Sequence, residues 1–242
     1  MPRFYCPAPL PFEGEFSLPP EAAHHAARVL RLRVGEEVEI FDGQGQARSG
    51  VIADISGKHV TVGALADRSA DRESPLSIVL AQSLPSGDKM DWVIQKATEL
   101  GVAAIQPLAS ARSVVKLSAE RAAKRQEHWQ QVAISACEQC GRNQLPLIHP
   151  VLDLADWVAQ SQNARRYIFL PQGAQALQDQ PAPDGPVELL IGAEGGFTEA
   201  ESALARQHGY TPIRLGPRIL RTETAALAGI TALQYQWGDF RA

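Results

Sequence analysis

Two loops hold the residue types and spacings that could do chemistry: Gly192-Ala-Glu-Gly-Gly196 and Gly216-Pro-Arg-Ile-Leu-Arg221. Paired glycines allow backbone angles that other residues avoid, so amides and carbonyls can be turned toward a ligand. Glu194 makes the first loop a poor host for phosphate. It suits a ligand that carries positive charge, or one whose base edge hydrogen-bonds to backbone. The loop is not Gly-x-Gly-x-x-Gly, and the chain has no Gly-Lys-Ser/Thr, so the dinucleotide and P-loop fingerprints are missing. The second loop places Arg218 and Arg221 beside glycine and proline, which is more charge than a plain turn calls for. Arg221 is a candidate functional residue; a surface ion pair with Glu223 or Glu194 is the alternative. Glu138, Gln139 and Arg142 end a long helical pattern, where Arg142 either neutralises the helix terminus or serves a site. Cys137-Glu-Gln-Cys140 is formally Cys-x-x-Cys, but no second cysteine pair and no His-x3-His spacing complete a zinc set, so packing thiols and no metal are expected.

The elements around these loops are readable. Val187 to Ile191 is too short for a helix and fits a buried strand. Thr198 and Glu201 form a capping box, so a helix starts there and runs to about Gly209. Pro212 to Leu215 is a second strand; Thr222 or Thr224 can cap a last helix, with Glu223 in its first turn. Arg166 to Leu170 is a strand ending at Pro171-Gln-Gly173, a third junction of the same type. Strand, loop and helix in alternation predict α/β architecture, and ligands bind at the carboxyl ends of such strands. Upstream, Leu76 to Leu80 and Val102 to Leu108 read as strands. A helix carrying Met90, Val93, Ile94, Ala97 and Leu100 on one face stops at Gly101. Ser118 to Cys140 is a long helix, and another starts near Asp153. Residues 1–70 alternate in short strands with turns at Asp42-Gly43 and Gly57-Lys58, which suggests a small barrel with one helix over Glu21 to Leu32. The charged stretch Ala66 to Pro75 is the linker candidate, dividing the chain into 1–70 and 74–242.

The chain has 242 residues, 45% hydrophobic and 21% charged, which is ordinary for a globular protein. No apolar run approaches the ~20 residues that span a bilayer. Arg3 followed by prolines and acids is not an apolar leader, and an odd count of three cysteines argues against a disulfide framework, so a cytoplasmic protein is expected. The net charge of −4 does not advertise a nucleic-acid binder, yet positive charge is concentrated locally. Arg28, Arg31 and Arg33 form one patch; Arg112, Lys116, Arg121, Lys124 and Arg125 form another. Both could contact phosphates, or be solvated faces.

The joint pattern of Ile191-GAEGGFTEA-Glu201 and Leu215-GPRILRTETAA-Leu227 resembles the cofactor-binding end of the SPOUT methyltransferases. It is closest to the family that methylates N3 of a uridine in bacterial 16S ribosomal RNA. Pro2-Arg3-Phe4-Tyr5, Gln95-KATEL-Gly101 and Ala136-CEQCG-Arg142 extend the likeness over nearly the whole chain. The resemblance implies an α/β domain with a parallel sheet and a trefoil knot, preceded by a PUA-like β-barrel that binds RNA. It implies S-adenosyl-L-methionine as cofactor, held by Leu170, Pro171, Gly192, Glu194, Gly195, Gly196, Leu215, Gly216, Ile219, Leu220, Thr224 and Ala225, with the Gly195-Gly196 pair allowing close approach. It favours RNA contact by Arg3, Arg28, Arg31, Arg33, Arg112 and Lys116. Uracil N3 is a poor nucleophile until deprotonated, so a base and donors for the flanking carbonyl oxygens are needed. Glu138 and Glu223 are candidate bases; Arg221 and Arg142 are candidate donors. Ribose 2′-O methylation, as in related enzymes, or a non-catalytic RNA-binding module are the alternatives. The resemblance also implies a homodimer acting on 16S RNA within the small subunit. The last helix supports pairing independently, because Leu227, Ile230, Leu233 and Trp237 with four alanines leave it apolar around most of its circumference.

Overall fold

The computed structural model describes residues 1–7, 9–68, 72–115, 117–172 and 175–241. In chain order the elements begin with β1 Arg3–Tyr5, β2 Phe16–Ser17, α1 Pro20–His24, β3 Glu37–Phe41, β4 Ala47–Ser56 and β5 His59–Asp67. They continue with β6 Ile78–Ser83, α2 Lys89–Glu99, β7 Ala104–Ala109, α3 Ala119–Cys140, β8 Leu147–Ile148, β9 Leu152–Asp153 and α4 Leu154–Gln160. The last are β10 Arg165–Phe169, β11 Gln175–Ala176, β12 Val187–Ile191, α5 Glu199–Gln207, β13 Thr211–Arg214 and α6 Thr222–Trp237. The chain forms two compact units: Met1–Glu73 with Ile134–Leu145, and Ser74–Ala133 with Pro146–Ala242. Of the linker candidate, residues 69–71 lie outside the described residues.

The first unit is the small β body that the alternating stretches predict. Its five strands run in the order β1-β3-β4-β5-β2, with β1 parallel to β3 and the other pairs antiparallel. Phe4, Val38, Ile40, Ile52, Val60 and Val62 bury one face. Register shifts between Ser49 and Val51 and between Ile52 and Asp54 bend the long β4–β5 pair, as bulges do. The helix expected over Glu21 to Leu32 is shorter. α1 gives way to a π-helical turn over His25–Val29, with Leu30 donating its amide to the His25 carbonyl at 2.9 Å. Arg31 then takes φ +54, where a non-glycine residue is uncommon. Ala22, Ala23 and Ala26 stay inside, while Arg28, Val29, Leu30 and Arg31 are turned out.

The last turns of α3 belong to this unit. Cys137 packs with Phe41 and Ala47, so it is a core thiol. The loop after the helix is held by Glu73, whose carboxylate accepts from Arg142 Nε (2.8 Å) and from the amides of Asn143 and Gln144 (both 3.1 Å).

The second unit is a parallel sheet in the order β11-β13-β10-β12-β6-β7-β8, with β9 beside β7. Both faces are covered, so β12 (Val-Glu-Leu-Leu-Ile) is buried along its whole length. Its one charged residue, Glu188, has no exposed surface and accepts from Trp157 Nε1 (2.7 Å), Ser161 Oγ (2.6 Å), Asn163 Nδ2 (2.7 Å) and the Tyr210 hydroxyl. α6 lies close against the sheet because it carries Gly229: a Cβ there would stand 2.6 Å from the Phe169 ring. Gly101 ends α2 at φ +83, as its position after Leu100 predicts. The architecture is therefore the expected α/β sheet with a small β unit.

Candidate functional site

The carboxyl ends of β10, β12 and β13 open onto a cavity of about 490 Å³ in the second unit. Three loops wall it: residues 170–171 after β10, 192–197 after β12, and 215 with 218–221 after β13; Thr222 and Ala225 of α6 complete the lining. Phe169, Leu170, Ile191, Ile213, Leu215 and Leu220 make its walls largely apolar. Ile219 lines it too, yet is 85% exposed, an apolar side chain with nothing of this chain over it.

Each glycine of the first loop answers a different need. A Cβ on Gly192 would stand 3.1 Å from the Gly196 backbone and 3.2 Å from the Phe197 ring. Gly196 takes φ +65 and a Cβ there would touch nothing within 4 Å, so the requirement is conformational. A Cβ on Gly195 would meet Arg112 Cβ and Cδ at 3.2 Å. Within the chain itself, one glycine accommodates an arginine stem and the other a left-handed turn.

Side chains from three other places fasten this loop. Thr222 Oγ1 donates to the Gly192 carbonyl at 2.5 Å and accepts from Gln82 Nε2 at 2.9 Å. Glu194 Oε1 accepts from the Ser86 amide (2.9 Å), Ser86 Oγ (2.7 Å) and Lys89 Nζ (2.7 Å). Partial burial pushes the Glu194 pKa up, but the Lys89 and Ser86 donors outweigh it and hold it at about 2. Arg112 Nη1 donates to the Gly195 carbonyl at 2.7 Å.

Of the residues expected at a cofactor, Leu170, Pro171, Gly192, Glu194, Gly195, Gly196, Leu215, Ile219, Leu220 and Ala225 line the cavity. Gly216 sits one residue outside the lining with φ +68, and Thr224 is exposed on α6. Gly173 lies outside the described residues. Neither Thr222 nor Thr224 caps α6; the N-cap is Arg221, without a side-chain bond. The Thr222 hydroxyl is instead buried between Gln82 and Gly192, which a sequence pattern cannot distinguish from a cap. Arg221 lines the cavity and is exposed, and Glu194 pairs with Lys89 rather than with it. Glu223 sits in the first turn of α6 with Oε2 buried and without a partner among the described residues.

Glu138 and Arg142 belong to the first unit. Arg142 is buried and its guanidinium is engaged by Glu73, with Nη2 at 2.8 Å. Glu138 Oε1 accepts the Tyr5 amide at 3.1 Å; burial raises its pKa, opposed by that amide. Both side chains are therefore engaged by partners within that unit. Arg3 is likewise internal: it pairs with Glu39 (3.0 Å), donates to the Arg142 carbonyl (3.0 Å) and Asn143 Oδ1 (2.7 Å), and lies over Phe41. Desolvation lowers its pKa. Those partners leave it poorly placed for phosphate. Arg28, Arg31 and Arg33 are exposed; Lys116 lies outside the described residues.

Sequence reasoning missed Lys89, Phe169, Phe197 and Arg214, which line the cavity, and Gln82 and Ser86, which brace its loop. Gln82 left one signal: a glutamine inside an apolar parallel strand needs a polar partner.

Residues 72–234 match the family model of an RNA methyltransferase domain, and residues 18–65 match that of an RNA methyltransferase PUA domain. The ribosomal RNA small subunit methyltransferase E of Buchnera aphidicola is 35% identical over 100% of this chain and 96% of its own. The protein of that name from Bacillus subtilis is 35% identical over 91% of this chain and 90% of its own. A crystal structure of the Neisseria gonorrhoeae ribosomal RNA small subunit methyltransferase E bound to S-adenosyl methionine shares 41% identity, with a TM-score of 0.94 over 99% of both chains. With its cavity, its two units and a likeness that runs end to end, the chain belongs to the SPOUT family of ribosomal RNA small subunit methyltransferases E.

Proposed function

We propose that this protein methylates N3 of a uridine in 16S ribosomal RNA, with S-adenosyl-L-methionine as donor. The observation that carries this is the cavity at the carboxyl ends of β10, β12 and β13. Its volume of about 490 Å³ falls in the range of small-molecule sites. Its donor set fits the cofactor: apolar walls for an adenine, and loop carbonyls and amides for its edge. Leu170, Leu215, Ile219 and Leu220 would enclose the base, and Ile219 would lose its exposure there. When bound, the cofactor supplies an electrophilic methyl group on a sulfonium.

The remaining work falls to this chain's residues. Thr222 fixes the Gly192 carbonyl, so the loop is shaped before a ligand arrives. Arg221, exposed at the cavity edge, is the donor for charge spreading onto the uracil carbonyl oxygens. Glu223, beside the lining residue Thr222 and with an Oε2 that has no partner among the described residues, is the candidate to take the N3 proton. Glu138 is tied to the Tyr5 amide.

The division of labour proposed is residues 1–70 for RNA binding, through Arg28, Arg31 and Arg33, and residues 74–242 for transfer. The working unit proposed is a cytoplasmic homodimer acting on the small subunit. It is supported by the exposed Tyr235 in the last turn of α6 and the exposed Phe240 just after it. Sedimentation at micromolar concentration tests the dimer, and a monomer there refutes it. The reaction is tested on small subunits from a strain lacking the enzyme. Nuclease digestion and mass spectrometry should find one methyl on the uracil base. A ribose methyl, or none, refutes the assignment.

A further inference from the structure

We propose that Arg112 ties substrate RNA to the cofactor loop, as a positioning residue whose free guanidinium edge takes a backbone phosphate. The inference rests on the function proposed above and names a contact through which the RNA acts on the site.

Arg112 lies in the short connection after β7. Its Nη1 donates to the Gly195 carbonyl at 2.7 Å, and its stem lies against the Gly195 Cα, where no Cβ would fit without a shift. That connection is itself anchored. The Ala111 amide donates to Glu201 Oε1 at 2.8 Å, and Ser110 and Ser113 close a turn through their hydroxyls at 2.9 Å. Glu201 uses its other oxygen, Oε2, for the capping box of α5, 2.7 Å from the Thr198 amide. The backbone beside Arg112 and the start of α5 are thus fastened to one carboxylate. The glycine loop, which leads from β12 into α5, is held to Arg112 by its own Gly195 carbonyl.

The guanidinium has more capacity than this one bond uses. Arginine carries five N–H donors in a planar fork. Among the described residues Arg112 has one acceptor, the Gly195 carbonyl, and no carboxylate. It is exposed. Arg218 and Arg221, which line the cavity, also have no acceptor among the described residues. Arg218 and Arg221 at the cavity and Arg112 on its glycine loop, in a chain of net charge −4, mark where a polyanion would lie. A phosphate on the free edge of Arg112 would leave Nη1 on Gly195 and immobilise the guanidinium between them. RNA then stiffens the loop that shapes the cofactor cavity, and by reciprocity the cofactor tightens RNA.

The test is calorimetric titration of the full-length protein with S-adenosylhomocysteine, with and without unmodified small-subunit RNA. RNA should tighten binding to the wild type by about fivefold or more, the lower end of ordinary coupling. In Arg112→Ala and Arg112→Lys the ratio should fall to about one, since a lysine cannot hold a carbonyl and a phosphate in one rigid plane. Gly195→Ala should do the same by displacing the arginine stem, and should add nothing in the Arg112→Ala background. Amide exchange over residues 193–197 reads the latch in the cofactor-free protein and should rise in Arg112→Ala. A wild-type ratio retained by Arg112→Ala overturns the proposal. So does a Gly195→Ala effect that is equally large without the arginine. A wild-type enzyme that methylates RNA yet shows a ratio of one overturns the latch alone; one that takes neither cofactor nor RNA overturns the function beneath it as well.

Discussion

Thr222→Val isolates the bond between α6 and the glycine loop. The change replaces a buried hydroxyl by a methyl at nearly constant volume, so no cavity opens. Two bonds are lost: the 2.5 Å donation to the Gly192 carbonyl and the 2.9 Å acceptance from Gln82 Nε2. Gln82 Nε2 keeps the Ser83 carbonyl at 2.8 Å, so its loss is partial. An orphaned buried partner costs about 1–3 kcal/mol, and the pair together should cost about 2–4 kcal/mol. All four tryptophans, Trp92, Trp129, Trp157 and Trp237, lie in the second unit, so their fluorescence in urea reads that unit alone. The midpoint should fall in proportion, and cofactor affinity should fall with it because the loop loses its anchor. Thr222→Ser keeps the hydroxyl and should retain affinity while losing about 1 kcal/mol for the missing methyl. A valine variant within about 0.5 kcal/mol of wild type, with unchanged affinity, would refute the reasoning.

Glu188→Gln aims an amide group at four donors and should cost the second unit about 3–5 kcal/mol, read by the same fluorescence; a small change would show that the cluster is not holding the carboxylate. Glu194 has a depressed pKa, so its contribution to the loop is present above the ordinary carboxylate value and is lost as pH falls toward about 2. Its carboxyl carbon should show no titration between pH 4 and 7 by NMR, and a midpoint there would contradict the Lys89 and Ser86 contacts. Glu138 is raised by burial, so its stabilising contribution is present at low pH and lost as pH rises through the raised value. Glu138→Gln should therefore leave the Tyr5 amide as slow to exchange at pH 7 as in the wild type, or slower, and should leave methyl transfer intact. Loss of transfer in that folded variant would restore Glu138 as a base.

The strands and helices around the cavity were legible because local signals and burial agree there. Val187 to Ile191 is apolar because a parallel strand is covered on both faces, and Thr198 with Glu201 caps α5 as the spacing predicts. The π-turn at His25–Val29 was not legible, because its alanines keep helical spacing up to the point where the hydrogen bonds widen. Arg3 read as a phosphate contact because exposure cannot be seen in a sequence; Glu39, the acid that neutralises it, is 36 positions along and belongs to β3. Thr222 read as a cap for a similar reason. A threonine before a helix has two uses for its hydroxyl, and only the position of Gln82, 140 residues earlier, decides between them.

The cavity's loop makes the same point in energetic terms. Residues 192–196 make one short turn of their own, with the Gly196 amide on the Ala193 carbonyl at 2.8 Å. Its other fastenings come from the β6–α2 connection, the β7–α3 connection and the first turn of α6, between 30 and 108 positions away. Three of the partners, Ser86, Lys89 and Arg112, sit at the surface, and one, Thr222, is buried. A loop braced this way is preorganised only when the whole second unit is folded. Substitutions at Ser86, Lys89, Arg112 and Thr222 should therefore act on cofactor binding as a group. Neighbours that touch the same loop are not additive. Lys89 and Ser86 share one oxygen of Glu194, so removing either leaves the other to hold it, whereas the Gly192 carbonyl has one side-chain donor among the described residues, Thr222. The buried bond, not the exposed ones, is the contact on which the loop's shape chiefly depends.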